Sequence, residues 1–261
     1  EDSAGGAKHD YNLLIPYIYD FQNNFQIGLS KFVNNFSTII HFPFYYIFIG
    51  NLNKLFNDIH IVKIIYILIS SFLPILFYSI LKKNYDYNKD FLFLFSCLIF
   101  ISPYFRSSAI WALGDNLALI FFSFLILFYL KFEKEKKTYL FYFCLISIIL
   151  CCYIRYYYAL FYLFYFFNSL KNLNSKQISI SLLISIIFSI PAFIYFYFIV
   201  KNYNFLNIAY TYTQLNYLGN IFYVSSIILF YLIPFVFFDL KKIFLFYKNN
   251  KFQLLAVIFP L

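Results

Sequence analysis

Residues 60–81 form an almost unbroken apolar stretch, and comparable stretches recur at about 91–105, 108–131, 138–154, 156–170, 177–199 and 220–238, with a further one from 252. A helix of about 22 residues rises about 33 Å, enough to cross the hydrocarbon core of a bilayer. Repeated runs of that kind, bounded by polar clusters, leave few folds open. Charged residues make up 12% of the chain and hydrophobic ones 63%, where soluble domains average about 25% and about half. So few charges cannot clothe a soluble surface. A soluble enzyme, a disordered chain, a coiled coil and a disulfide-rich secreted module are excluded. A transmembrane barrel would alternate apolar and polar residues in segments of about ten, a pattern absent here. The fold class is an all-α polytopic membrane protein of about seven spans plus a truncated eighth.

Residues 1–59 differ from the rest and read as a long first loop. Tyr17–Phe21 and Phe25–Leu29 have the pattern of an amphipathic helix lying at the interface, and Thr38–Phe56 reads as a second such element. Residues 60–261 form the transmembrane bundle, with Pro74, Pro191 and Pro234 as tolerated kinks inside spans. The runs at 91–105 and 156–170 are short, which fits tilted or half-crossing segments. The chain contains no Met, starts at Glu1 and closes on an apolar run, so it is expected to be a fragment preceded by a further helix. The 40 Phe and 28 Tyr fit AT-rich coding, so aromatic content says little about function.

Lysines are distributed unevenly. Lys82, Lys83, Lys89, Lys131, Lys134, Lys136, Lys137, Lys171, Lys176, Lys241, Lys242, Lys248 and Lys251 fall on alternate loops, while the opposite ones hold only Arg106, Arg155 and Lys201. The Lys-rich side is therefore cytoplasmic. The first loop's Lys8, Lys31 and Lys54 run against this bias, but long loops weigh little in the rule. The net charge of +9 then reflects topology, and nucleic acid is not a partner. The location expected is a bacterial inner or plasma membrane. Cys97, Cys144, Cys151 and Cys152 all lie in apolar stretches without metal-ligand spacing and read as packing residues.

Of the eleven acidic residues, Glu1, Asp2, Asp10, Asp20, Asp58 and Asp115 sit in or at the mouth of non-cytoplasmic segments. His41 precedes an aromatic-rich return to the membrane and reads either as an interface residue or as a donor to a phosphate. Arg106 and Asp115 lie at the outer ends of two successive spans. They read either as an ion pair beside a helix cap at Asp115 and Asn116, or as a functional acid and cation at headgroup depth. Arg155 has no neighbouring acid in sequence, and is either a snorkelling anchor or a two-pronged phosphate ligand. Phosphate-binding glycine loops, GxSxG, HExxH and Cys/His metal sets are absent.

An acidic pair at the head of the first loop, then Thr38, His41, Pro43, Tyr45 and Tyr46, then Arg106, Trp111, Asp115 and Asn116, then Arg155, resembles the GT-C membrane glycosyltransferases. The pattern is similar to the protein O-mannosyltransferase and aminoarabinose-transferase type. It is also similar to the dolichyl-phosphate-glucose glucosyltransferases, although His41 stands where those have the first of two prolines. The resemblance implies a GT-C-like helical bundle, a polyprenyl-phosphate sugar donor and a non-cytoplasmic active site. The acceptor would be a glycan, lipid or protein. By position it assigns the general base to Asp2, with Glu1 beside it and Asp10 as the alternative, and the second acid to Asp115. His41, Arg106 and Arg155 would face the donor phosphate. A divalent cation, magnesium or manganese, is compatible with the resemblance without being required. The rival readings are a polysaccharide polymerase, a lipid-linked oligosaccharide flippase and a non-enzymatic scaffold.

The lysine bias makes a topological prediction. In a background without native cysteines, single cysteines near Asp10, Asn116 and Asn204 will label from outside, and those near Lys136 and Lys241 only from the cytoplasm. Labelling near Asp10 from the cytoplasm would rule out chemistry on the outer face.

Overall fold

A computed structural model describes residues 7–34 and 42–202. Every regular element among them is helical. The expected interfacial helix of the first loop is two helices, α1 (Ala7–Asn23) and α2 (Phe25–Asn34). The break falls at Asn24, whose side-chain oxygen accepts from the N–H groups of Gln26 at 2.9 Å and Ile27 at 3.2 Å and so starts α2. The described part of the second expected element is α3 (Phe44–Phe56). It meets α1 at Gly50, where a β-carbon would lie 2.9 Å from the Ile18 carbonyl oxygen. Asn57, in the left-handed region, ends α3, and Asp58 caps the next helix by accepting from His60 N–H at 2.8 Å.

The bundle follows. Helices α4 (Ile59–Ser70) and α5 (Phe72–Asn84) together make one apolar stretch of spanning length, Ile59–Asn84. It divides where Pro74 cannot donate to the Ser70 carbonyl. Helix α6 (Lys89–Cys97) continues through a tight turn, Leu98–Ile101, into α7 (Pro103–Ile110) with a bend of 66°. Ser102 and Pro103 carry that bend: the serine caps α7 and the proline fits its first position. Helix α8 (Gly114–Glu135) is central and forms an antiparallel hairpin with α9 (Thr138–Ile154). A turn at Tyr156–Tyr158 leads to α10 (Ala159–Ser169), and a second at Leu170–Asn172 leads to α11 (Ser175–Asn202).

Three stretches are long and apolar enough to cross a membrane, Ile59–Asn84, Gly114–Glu135 and Ser175–Tyr195, and the bent pair of α6 and α7 makes a fourth if counted as one span. Two expected boundaries are corrected. The stretch at 91–105 is no straight span, because the chain turns at Ser102. The span expected at 108–131 starts at Gly114, because residues up to Ile110 complete α7. The 156–170 segment supplies only the 11 residues of α10, about half a membrane thickness. The stretches at 220–238 and from 252 lie outside the described residues. Side chains such as Ile64, Leu68, Ile75, Leu94, Ile186 and Phe193 are exposed, as a lipid-facing surface requires.

The two ends of the bundle differ as the lysine pattern implies. Lys83 and Lys131 act on Glu135, and Asn172 donates to Glu133 at 3.1 Å, so the Lys-rich connections gather at one end. The opposite end holds the 111–114 turn, Arg155 and the three helices of the first loop. All four cysteines are free. Cys144 and Cys151 are buried between α8 and α9, and Cys151 donates to the Ala118 carbonyl at 3.3 Å.

The α7–α8 turn is held from several sides. Leu113 N–H bonds to Ser108 O at 2.9 Å and Ala112 N–H to Ala109 O at 3.4 Å, closing α7 with Ala112 at a positive φ of 46°. Tyr45 donates to the Ala112 carbonyl and Tyr66 to the Leu113 carbonyl. Tyr66 also accepts from Leu117 N–H at 3.2 Å, standing between the two groups whose direct bond opens a regular helix. Asn116, 1% exposed, donates to Ser70 Oγ at 3.2 Å and Phe105 O at 3.0 Å. Tyr66→Phe is expected to lower stability by about 1–3 kcal/mol, because it strands the buried Leu117 N–H and leaves the Leu113 carbonyl with Ser108 Oγ alone. Thermal unfolding in detergent measures this, and an unchanged Tm would show that the hydroxyl is dispensable.

Candidate functional site

Asp115 and Arg155 meet at the Lys-poor end of the α8–α9 hairpin. Arg155 Nε donates to Asp115 Oδ1 at 2.7 Å, and an Nη donates to Oδ2 at 2.9 Å. This is the two-pronged geometry that guanidinium and carboxylate share. The hairpin explains it. Asp115 lies in the first turn of α8 and Arg155 is the residue that ends α9. The helix N-terminus favours the anion and the C-terminus the cation, so both dipoles support the pair. Close approach is permitted by Gly114, where a β-carbon would come within 3.1 Å of Ile154 Cγ2 and 3.3 Å of the Tyr45 ring.

The two partners are unequally covered. The Arg155 side chain is 14% exposed and that of Asp115 44%. Burial works against the guanidinium's charge, but the hydrogen bond and charge of Asp115 more than offset it and hold the Arg155 pKa above its ordinary value. Several tyrosines lie in the field of the pair, Tyr46 and Tyr157 among them. Burial raises the Tyr46 phenol pKa; Arg155 opposes the rise, while Asp115, Tyr17 and Asp10 add to it. The Tyr157 phenol is also raised, chiefly by burial, with Arg155 and Asp115 acting on it in opposite directions.

The sequence-expected residues divide accordingly. Asp115 and Arg155 come together. Asp10 sits exposed on α1, and its charge reaches Tyr46, the same phenol that feels the pair. Arg106 does not pair with Asp115, so the ion-pair alternative does not hold. It lies exposed on α7 and makes no ion pair among the described residues, because the face of α7 turned inward carries Phe105, Ser108 and Ala109. Nor do Asp115 and Asn116 cap α8: Leu113 occupies that position, while Asn116 is buried one turn in. Glu1, Asp2 and His41 lie outside the described residues. As a cradle for a divalent cation the described residues do not fit. Both Asp115 oxygens are committed to Arg155, and no three ligating side chains converge among the described residues.

Tyr46 and Tyr157 are the site residues that sequence reading passes over. The pair itself was reachable from the chain: Asp115 and Arg155 lie roughly equal distances before and after the short turn at Lys136 and Lys137. In an antiparallel hairpin such residues face each other.

Two apolar cavities flank this end. One of about 450 Å³ lies among α9, α10 and α11, with Tyr153, Cys152 and Leu182 in its wall. The other, of about 350 Å³, is bounded by α2, α3 and α11, and Phe42 and Tyr153 line both. Comparison with known protein families, characterised proteins and solved structures returns no match.

The ion pair makes a quantitative prediction. Asp115→Asn and Arg155→Gln will each destabilise the protein, and the double variant will be less damaged than the sum by about 0.5–3 kcal/mol. Thermal unfolding of the three variants measures the coupling, and strict additivity would mean the pair contributes nothing.

Proposed function

We propose that this chain belongs to a polytopic membrane glycosyltransferase of GT-C-like architecture, which transfers a sugar from a polyprenyl-phosphate donor to an acceptor hydroxyl on the non-cytoplasmic face. The observation that carries the reading is the two-pronged Asp115–Arg155 pair, its guanidinium mostly buried, at the Lys-poor end of the bundle beside the helices of the first loop. A guanidinium has five N–H donors. Two are used on Asp115, so the rest remain for a phosphate. Asp115 holds the guanidinium oriented and charged, as recognition of an anion requires. The apolar cavities that share Tyr153, two residues from Arg155, offer room for a prenyl chain next to that phosphate.

In the reaction the acceptor oxygen attacks the anomeric carbon and the bond from that carbon to the phosphate oxygen breaks. The phosphate departs with the electron pair, and a carboxylate takes the acceptor's proton. That base is Asp2 on the family pattern, with Glu1 beside it, and Asp10 is the acid that α1 brings toward the pair. Arg155 meets the charge growing on the phosphate, and His41, adjacent to the cavity residue Phe42, is placed by the sequence to assist. Arg106, exposed on α7, is left a lesser role. The setting is a bacterial inner or plasma membrane, with membrane lipids around the bundle.

The test is donor binding to purified protein with a short-chain polyprenyl-phosphate sugar. Arg155→Ala will weaken binding more than Arg155→Lys, since lysine keeps the charge but not the fork. Asp2→Asn will reduce transfer by about 10²–10⁴-fold while leaving donor affinity unchanged. Unchanged affinity in Arg155→Ala, with a lower folding yield, would make Arg155 a structural anchor. If neither Asp2→Asn nor Asp10→Asn reduces transfer, the general-base mechanism is wrong.

A further inference from the structure

Lys63 is a cation inside the apolar Ile59–Asn84 stretch, where an ionised side chain is costly and rarely incidental. No carboxylate pairs with it among the described residues. Its ammonium instead lies 4.0 Å from the centroid of the Tyr11 ring and 4.7 Å from that of Trp111, and the two rings are 5.5 Å apart. One cation thus touches two π faces from different parts of the chain, Tyr11 from α1 and Trp111 from the turn before α8. Ala7, Leu14 and Ile15 of α1 and Leu113 of the turn pack around the contact. Tyr11 is buried, yet its hydroxyl has no hydrogen-bond partner among the described residues. The ring, not the hydroxyl, is what holds it there.

The neighbours give the contact its meaning. Asp10 immediately precedes Tyr11, and Asp115 follows Trp111 by four residues across the α7–α8 turn. We infer that Lys63 is a positioning residue whose contact with Tyr11 and Trp111 fastens α1 to the α7–α8 turn and so sets the spacing between Asp10 and the Asp115–Arg155 pair. The catalytic meaning of that spacing rests on the glycosyltransferase reading, but the fastening does not. Losing a cation–π contact of this kind shifts the docked-to-free balance of α1 by roughly 2- to 30-fold.

Trp111 is the single tryptophan of the chain, so its fluorescence reports on this contact alone. Acrylamide quenching of the detergent-solubilised protein is compared in wild type, Lys63→Met, Lys63→Arg, Tyr11→Leu and Tyr11→Phe, with helix content checked by circular dichroism. Lys63→Met and Tyr11→Leu will raise the quenching constant about twofold or more, because α1 uncovers the indole. Lys63→Arg and Tyr11→Phe will stay at the wild-type value, since each keeps its half of the cation–ring contact. Should Lys63→Met misfold, Tyr11→Leu against Tyr11→Phe decides the same point from the other partner. Wild-type quenching in a folded Lys63→Met or Tyr11→Leu would overturn the fastening. In a sugar-transfer assay, Lys63→Met will lower kcat with the donor KM unchanged and Lys63→Arg will restore it; a change confined to KM would overturn the positioning role. Absence of any transfer by the wild-type protein would sink the glycosyltransferase reading, while the quenching result still decides the fastening.

Discussion

A turn buried inside a protein takes backbone groups away from the water that would otherwise satisfy them, and this chain makes such a turn between α7 and α8, at Ala112 and Leu113. The carbonyls of Ala112 and Leu113 and the N–H of Leu117 are orphaned by that turn. Tyr45 from α3, Tyr66 from α4 and Ser108 from α7 all bond to this turn. Asn116 then ties α8 to Ser70 and Phe105. Satisfying one turn therefore fixes α3, α4, α7 and α8 against one another. Asp115 sits within that framework, between Gly114 and Asn116, so its position is dictated by the same bonds.

Arg155 arrives by a different route. The α8–α9 hairpin is long, and its far end is set by its turn and by packing such as Phe132 against Phe141 and Cys151 against the Ala118 carbonyl. Its reach returns the chain to the level of Asp115. An aspartate at a helix start and an arginine at a helix end would each be tolerable alone. With the two brought together and the guanidinium mostly buried, the arginine becomes dependent on the aspartate, because removing Asp115 leaves a mostly buried charge unpaired. That dependence keeps the arginine charged and fixed, with the carboxylate the more exposed partner.

How much of this was legible follows from which signals are local. Apolar runs mark α4 with α5, α8 and α11 well, since hydrophobicity over about 20 residues is a direct requirement of the bilayer. The lysine alternation sorts the two ends without any tertiary information. The ion-pair alternative for Arg106 and Asp115 rested on sequence proximity, and it fails because Arg106 belongs to α7, whose orientation is fixed by the buried Phe105, Ser108 and Ala109. The Asp115–Arg155 contact spans forty residues and needs the hairpin register, which composition does not carry. The break at Asn24 was missed because the flanking residues keep a helical pattern across it. GT-C architecture and the roles of Glu1, Asp2 and His41 rest on a resemblance alone.

Tyrosine shows why composition is a poor guide in such a chain. With 28 of them, any single tyrosine looks like coding bias. The structure separates them by what their hydroxyls do. Tyr45 and Tyr66 supply backbone carbonyls with the donors that lipid cannot, so phenylalanine is no substitute there. Tyr11 buries a hydroxyl with no partner among the described residues and works through its ring. Tyr46 and Tyr157 stand in the field of a charge pair, where a phenol contributes a dipole as well as apolar surface. A bias that supplies tyrosine in excess thus provides donors for buried backbone groups, and the α7–α8 turn depends on two of them.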